Sequence, residues 1–212
     1  MDESILQYAA GVVDVGGCFK SDHGYKVLLV NCAKKKGDMS TFLVEKFGGK
    51  ISETASAWIW NKRGDELIEF LKMILPHMLV QKHIAEMFIN DDISNLKELK
   101  TEIKDVDDSI VPSIPWRAGI IDIVSNFKLE KTSLCLTMSQ TNPTVLKLFE
   151  RLYHGNFSYV QSDKSYRFQT KTFSRIILND VLPYSIAKKD EMLKSSKTLR
   201  SLMTNCLREY VV

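Results

Sequence analysis

Two aspartates, Asp14 and Asp122, stand at the same place in a stretch that occurs twice in the chain. The first copy reads YAAGVVDVGGCFK from Tyr8 and the second reads WRAGIIDIVSNFK from Trp116, so matched residues are 108 positions apart. Paired carboxylates can hold magnesium, which prefers oxygen ligands and can generate hydroxide for hydrolysis. A carboxylate near a helix end can equally serve in local hydrogen bonding. The choice between these roles depends on the elements that hold the two acids.

The other residue types that perform chemistry show no such arrangement. The cysteines, Cys18, Cys32, Cys135 and Cys206, lack metal-ligand spacing. They predict free thiols in a reducing, intracellular compartment. The four histidines are scattered along the chain. A zinc site is therefore not expected.

Composition sets loose limits on function. A chain of 212 residues with 44% hydrophobic residues can form one large domain or two small ones with a real core. The net charge of +3 permits nucleic-acid binding without requiring it. No apolar run approaches the roughly 20 residues of a membrane span, so no membrane partner is expected.

The repeated stretch predicts a helix in each half, from about Ile5 to Val15 in the first copy, ended by glycines. A strand pair, a helix, a second strand pair and two further helices follow, the last two expected to begin at Asn61 and at Leu79. The second half has the same order. The sequence therefore predicts a first repeat over 1–90, an acidic linker over 91–113 and a second repeat over 114–212 with a basic C-terminal helix.

The predicted fold class is α+β. Each αββαββα repeat forms a four-stranded antiparallel sheet with helices on one face and the other face open. Two such sheets joined through paired central helices would form a saddle with internal pseudo-twofold symmetry, so we expect a monomer.

Several features in this order resemble one family. They are the two repeated stretches, the FGG before the second strand pair, the WIW at Trp58 and the LPHMLVQK that begins at Leu75. Together they resemble the LAGLIDADG homing endonucleases in their single-chain, two-repeat form. The resemblance implies that the motif helices pack together through Gly11 and Gly119 and that nucleic acid lies on the open sheet faces.

Two departures from the family pattern concern its chemistry. The resemblance places a metal-binding acid at the eighth motif position, which is Gly16 in one copy and Val124 in the other. Asp14 and Asp122 occupy the sixth position, and two residues along a helix turn the side chain by about 200°. The resemblance also implies a basic residue shortly after the proline of each repeat. The second repeat has Lys188 there, but the first has the uncharged Gln81. We therefore expect a structural role for the two acids, no metal and no cofactor.

The resemblance also implies a binding surface on alternate strand residues. It comprises Lys20, Asp22, Lys128, Glu130, Ser165 and Arg167, with Trp58 and Trp60 at the matching places of the first repeat. Two tryptophans there could stack on unpaired bases or hold a protein partner. A register shift of one residue would instead turn both into the core. Basic residues collect at 34–36 and along the C-terminal segment, at Lys189, Lys194, Lys197, Arg200 and Arg208. They could form a solvated surface or bind the phosphate backbone of nucleic acid.

Three functions follow from these observations. The first is binding of nucleic acid, DNA or structured RNA, without cleavage. The second is a protein-interaction or assembly module that uses the same fold. The third is an active endonuclease in which Asp14, Asp122 and Lys188 act as atypical catalytic residues, and magnesium is expected only in that case.

Overall fold

The chain begins with helix α1, Glu3–Gly16, and the Asp2 carboxylate caps its start by accepting a hydrogen bond from the Ser4 N–H at 2.8 Å. The helix is buried from Tyr8 to Asp14, as expected for a run that is apolar except at its last residue. In this computed structural model the described residues are 1–22, 25–33, 37–92, 106–107, 109–130, 133–172, 174–194 and 197–198.

The first repeat continues in the predicted order. Its remaining elements are β1 Gly17–Asp22, β2 Tyr25–Ala33, α2 Gly37–Phe47, β3 Lys50–Glu53, β4 Ala57–Arg63, α3 Gly64–Ile74, a 3-10 turn Leu75–His77 and α4 Lys82–Ile89.

The second repeat has the same order. Its elements are α5 Ile114–Val124, β5 Ser125–Glu130, β6 Ser133–Gln140, α6 Thr144–Tyr153, β7 Asn156–Val160, β8 Ser165–Thr170 and α7 Ser174–Val181. Residues 189–194 are helical as well. Most of the predicted linker, the basic residues 34–36, and Arg200 and Arg208 lie outside the described residues.

The strands form two antiparallel sheets of four, in the orders β1-β2-β4-β3 and β5-β6-β8-β7. Each sheet packs its helices on one face: Phe19 of β1 contacts Phe88 of α4, and Trp60 of β4 contacts Phe70 of α3, with ring centroids 5.0 and 5.3 Å apart. The opposite face of each sheet is called the open face below. The α+β fold of two tandem repeats is confirmed.

Two predicted helix starts were wrong, for local reasons. The helix expected from Asn61 begins at Gly64, because β4 continues to Arg63 in register with Val27 of β2. The helix expected from Leu79 begins at Lys82. The backbone N–H groups of residues 79–81 donate instead to the Asp14 carboxylate.

Within the described residues, no helix is long and apolar enough to cross a membrane. Three cysteines fall in this part of the chain and all are free thiols: Cys18 is exposed, while Cys32 and Cys135 are buried.

Candidate nucleic-acid interface

The two central helices, α1 and α5, touch backbone to backbone. A Cβ added at Gly11 would lie 2.2 Å from the Trp116 carbonyl oxygen, and one at Gly119 would lie 2.3 Å from the Tyr8 carbonyl oxygen. Both distances are far inside van der Waals contact. Glycine at these two positions is therefore what lets the helices approach this closely.

Asp14 is buried near the end of α1, and its two carboxylate oxygens accept four hydrogen bonds. Oδ1 accepts from the N–H groups of Val80 and Gln81 at 3.1 and 2.8 Å. Oδ2 accepts from the Leu79 N–H at 2.8 Å and from the Trp116 indole Nε1–H at 2.9 Å. A carboxylate has about four acceptor positions. All of them are occupied, so no lone pair of Asp14 is left for a metal ion.

Asp122 has the same arrangement in the second repeat. Its Oδ2 accepts from the Tyr8 hydroxyl at 2.7 Å and from the N–H groups of Ile186 and Ala187 at 2.7 and 2.9 Å. Its Oδ1 accepts from the Ser185 hydroxyl at 2.6 Å. The side chain is fully buried.

Each acid thus bridges three parts of the molecule. It holds the chain just after the proline turn of its own repeat, and it binds the aromatic residue that opens the motif in the other repeat. Tyr8 and Trp116 therefore exchange partners across the helix pair. This arrangement explains why both motif copies keep an aromatic residue six positions before the aspartate.

Burial shifts the titration of this network. Burial raises the pKa of Asp14 to about 6, and the hydrogen bonds from Gln81, Leu79, Trp116 and Val80 partly offset that effect. The pKa of the Tyr8 hydroxyl lies well above its ordinary value, first because of burial and then because of the Asp122 charge.

The last residue of each central helix, Gly16 of α1 and Val124 of α5, is not an acid. A Cβ at Gly16 would meet the Ile123 and Val30 side chains at 3.4 to 3.5 Å, which is ordinary contact. Val124 is half-buried at the corresponding place. Among the described residues, no group of three His, Cys, Asp or Glu side chains could hold a metal ion. The surroundings of Gly16 at the end of α1 are therefore apolar.

Gln81 and Lys188 lie beside these helix ends. The Gln81 side-chain amide donates to the carbonyl oxygens of Val13, Asp14 and Gly17 at 2.9, 3.1 and 3.1 Å. Lys188 is buried, and its Nζ donates to the Ser125 Oγ at 3.0 Å. Ser125 in turn donates to the Ile121 carbonyl at 2.7 Å. Both side chains therefore satisfy the C-terminal end of a central helix.

The open faces are mainly polar. By strand register, the first open face includes Cys18, Lys20, Asp22, Tyr25, Val27, Leu29, Asn31, Lys50, Ser52, Ala57, Ile59, Asn61 and Arg63. The second includes Asn126, Lys128, Glu130, Ser133, Cys135, Thr137, Ser139, Asn156, Ser158, Val160, Ser165, Arg167 and Gln169.

Cations exceed anions on these faces. The cations are Lys20, Lys50, Arg63, Lys128 and Arg167, and the anions are Asp22 and Glu130. Glu130 pairs with Lys171 at 2.8 Å, a contact that holds the pKa of its carboxyl below the usual range. Arg167 pairs with Asp163 at 3.4 Å.

The fold recurs in solved structures of DNA-bound proteins. The chain aligns over 95% of its length with the LAGLIDADG homing endonuclease I-GzeII in complex with its DNA target, covering 91% of that protein at 17% identity and a TM-score of 0.69. It aligns over 94% with I-SmaMI bound to cleaved DNA, covering 90% of that protein at 14% identity and a TM-score of 0.70.

The chain has the LAGLIDADG homing endonuclease fold. A third structure with this fold, I-AabMI bound to uncleaved DNA, matches at a TM-score of 0.66 and 12% identity, with 94% of this chain and 92% of that protein aligned. By sequence, no family model and no curated protein matches.

The register that placed Trp58 and Trp60 on the open face was wrong by one residue. Trp60 is fully buried on the helix side, where its Nε1–H donates to the Gly48 carbonyl at 2.8 Å. Trp58, two residues earlier on the same strand, shares that face and is half-buried. In the LAGLIDADG homing endonuclease fold of this chain, the first-repeat counterparts of Ser165 and Arg167 are Ala57 and Ile59.

The other predicted surface residues lie on the open faces, while the two acids and Lys188 do not. Sequence reasoning missed Lys50, Asn61 and Arg63 on the first face. Their signal was present in the strand pattern, because a β4 register counted from Asn61 rather than Trp60 places Asn61 and Arg63 together on the open face. It also missed the partner exchange of Tyr8 and Trp116.

Proposed function

We propose that this protein binds double-stranded nucleic acid across its two open faces and does not cleave it by metal-dependent hydrolysis. The absence of cleavage is proposed because neither aspartate of the motif is available to bind a metal ion. The helix ends present Gly16 and Val124, and the only acids of the motif are buried and fully hydrogen-bonded.

Metal-dependent cleavage of a phosphodiester needs oxygen ligands at the scissile phosphate. To ligate a metal, Asp14 would have to give up hydrogen bonds that hold the backbone of residues 79–81. Leaving a buried N–H unpaired costs about 1–3 kcal/mol for each group. The catalytic candidates Asp14, Asp122 and Lys188 are therefore better explained as supports of the helix pair.

The open faces supply the electrostatics of binding. Five cations against two anions favour a polyanion, and the hydroxyl and amide groups of the second face can donate to phosphate or base edges. The solved structures of I-GzeII, I-SmaMI and I-AabMI described above are DNA complexes, which makes duplex DNA the first ligand to test.

A salt series tests the binding half of the proposal. Binding of duplex DNA, single-stranded DNA and structured RNA would be measured in chloride salts with EDTA. If all five cations contact phosphate, the slope of log K against log salt for duplex is about −4 to −5. Absence of binding to all three at low salt overturns the proposal.

A protein partner is the second candidate, and one feature favours it. The centre of the first open face is apolar at Leu29 and Ile59, both half-buried, and Tyr25 nearby is 67% exposed. Affinity purification from native extract, with and without nuclease treatment, separates the two cases. A partner that survives nuclease treatment and is lost in Ile59→Asp supports this candidate.

A further inference from the structure

A cleft of about 610 Å³ opens at the outer end of the first sheet, between the start of β3 and the end of β4. The residues that matter for its chemistry are Gly48, Lys50, Asn61, Lys62, Arg63 and Glu66. Lys50, Asn61 and Arg63 also belong to the open face, so the cleft is continuous with it. Its volume falls within the range of ordinary ligand pockets.

A buried lysine forms part of the cleft wall. The Lys62 side chain is 6% exposed, and its Nζ donates to the Phe47 carbonyl and to Glu66 Oε2, the latter at 3.3 Å. An ammonium has three N–H donors. Two are used within the described residues, which leaves one for a further acceptor.

Gly48 lies beside that ammonium. Its φ is +70°, and a Cβ there would lie 3.5 Å from Lys62 Nζ. A larger residue at this position would be strained and would occupy the space next to the ammonium. Glycine therefore leaves the cleft side of this buried ammonium without a side chain at position 48.

The cleft carries an excess of positive charge. Lys50, Lys62 and Arg63 line the cleft together with a single acid, Glu66, which pairs with Lys62 and whose side chain is 73% exposed. By strand register Lys50 and Arg63 lie on the open face and Lys62 on the helix side of β4. Lys50 and Arg63 are exposed. Two positive charges therefore remain beyond the one that Glu66 offsets, an arrangement suited to a phosphate group.

The second repeat has a cleft at the same place but without this chemistry. It measures about 350 Å³ and is lined by His154, Asn156, Thr170 and Lys171 among others. Asn156 and Thr170 stand where the first repeat has Lys50 and Lys62. Lys171, the counterpart of Arg63, pairs with Glu130 at 2.8 Å. The two clefts thus provide a natural matched comparison.

We propose that the cleft of the first repeat is a phosphate-binding site that holds a backbone phosphate of nucleic acid lying on the open face. The inference rests on the proposed function for the source of the phosphate. It does not depend on that function for the chemistry of the cleft. It also predicts asymmetry, because the first repeat anchors the backbone more strongly than the second.

Two measurements on the full chain test the site. The first is titration with inorganic phosphate, followed by amide NMR shifts, against chloride at equal ionic strength. The second is duplex DNA binding. The variants are Lys50→Gln and Arg63→Gln in the cleft, with Lys72→Gln on α3 and Lys171→Gln in the other cleft as charge-matched controls. Glu66→Gln removes the opposing charge.

The expected result is a phosphate-specific shift of the amides around Gly48 and Lys50. Lys50→Gln and Arg63→Gln each weaken phosphate and DNA binding by about twofold to fivefold, and each reduces the DNA salt slope by about 0.9. Lys72→Gln and Lys171→Gln have smaller effects, and Glu66→Gln strengthens phosphate binding.

The two measurements distinguish a nucleic-acid backbone phosphate from a free phosphate compound as the ligand. If inorganic phosphate binds in the cleft but the variants leave DNA binding unchanged, the ligand is a free phosphate compound. If the chain binds no nucleic acid yet phosphate still shifts these amides, the site stands and the proposed function fails. If phosphate produces no specific shift and the cleft variants match Lys72→Gln, the site is overturned.

Discussion

The indole Nε1–H of Trp116 donates to the carboxylate of Asp14 at 2.9 Å, across the contact between the two central helices. This bond joins the first turn of one motif helix to the acid near the end of the other. It gives the aspartate a role in assembling the repeats, because the same carboxylate also holds residues 79–81. This role of Asp14 does not depend on an acid at position 16.

Removing the aromatic donors should weaken the helix pair. Tyr8→Phe deletes only a hydroxyl and removes one buried hydrogen bond to the Asp122 carboxylate, so we expect a loss of about 1–3 kcal/mol in the free energy of unfolding. Trp116→Phe should cost at least as much, since it also removes volume. Chemical denaturation measures both. Trp58→Phe, at a half-buried site without this bond, is the control, and equal effects in all three would contradict the role assigned to the acids.

The pH dependence of stability isolates Asp14. The folded pKa of about 6 is above the ordinary 3.8. The contribution of Asp14 to the free energy of unfolding is therefore fully present below the pKa of the unfolded state. It is lost as pH rises through the pKa of the folded state. The difference in unfolding free energy between the wild type and Asp14→Asn should fall as pH rises from about 4 to about 6. Asp65→Asn, at an exposed site on α3, is the control, and a flat difference curve for Asp14→Asn would count against a buried, shifted carboxyl.

Two glycines on the same helix should respond differently to a methyl group. Gly11→Ala places a Cβ 2.2 Å from a backbone carbonyl oxygen, so the helices must separate, at a cost of about 3 kcal/mol or more. Gly16→Ala meets side chains at 3.4 Å or more and should change stability by about 1 kcal/mol or less. Thermal and urea unfolding would show the contrast. A mild Gly11→Ala would mean that the helices do not approach as closely as described.

The equivalent lysines of the two open faces, Lys20 and Lys128, should both contribute to nucleic-acid binding. Lys20 and Lys128 are 108 residues apart, exposed and both on the first strand of their sheet. Each change to Gln should weaken duplex binding at low salt and lower the salt slope by about 0.9 if the side chain contacts phosphate. Lys46→Gln, on the helix side at the end of α2, controls for net charge. A loss with Lys46→Gln as large as with Lys20→Gln would place the nucleic acid elsewhere.

The sequence predicted much of this fold because both halves repeat it. The order of elements followed from reading both halves side by side, starting from the matched stretches Tyr8–Lys20 and Trp116–Lys128. The glycine contact between the helices and the significance of Gly16 and Val124 came from the resemblance to the LAGLIDADG homing endonucleases. The face of β4 did not follow, because Trp58 and Trp60 satisfy a period of two in either register and only packing against Phe70 decides it. The cleft beside Lys62 was equally hidden, since a lysine in a strand gives no sign that it reaches the carbonyl of Phe47.

Selection from a random duplex library in the presence of magnesium tests binding without cleavage in one experiment. Bound duplexes would be recovered and sequenced end to end, with EDTA and Asp14→Asn samples in parallel and Gly16→Asp/Val124→Asp as a variant that introduces two acids. We expect the wild type to enrich duplexes that remain intact with or without magnesium. Magnesium-dependent fragments with recurrent ends from the wild type, lost in Asp14→Asn, would contradict this expectation and make the chain an endonuclease that uses its sixth-position acids.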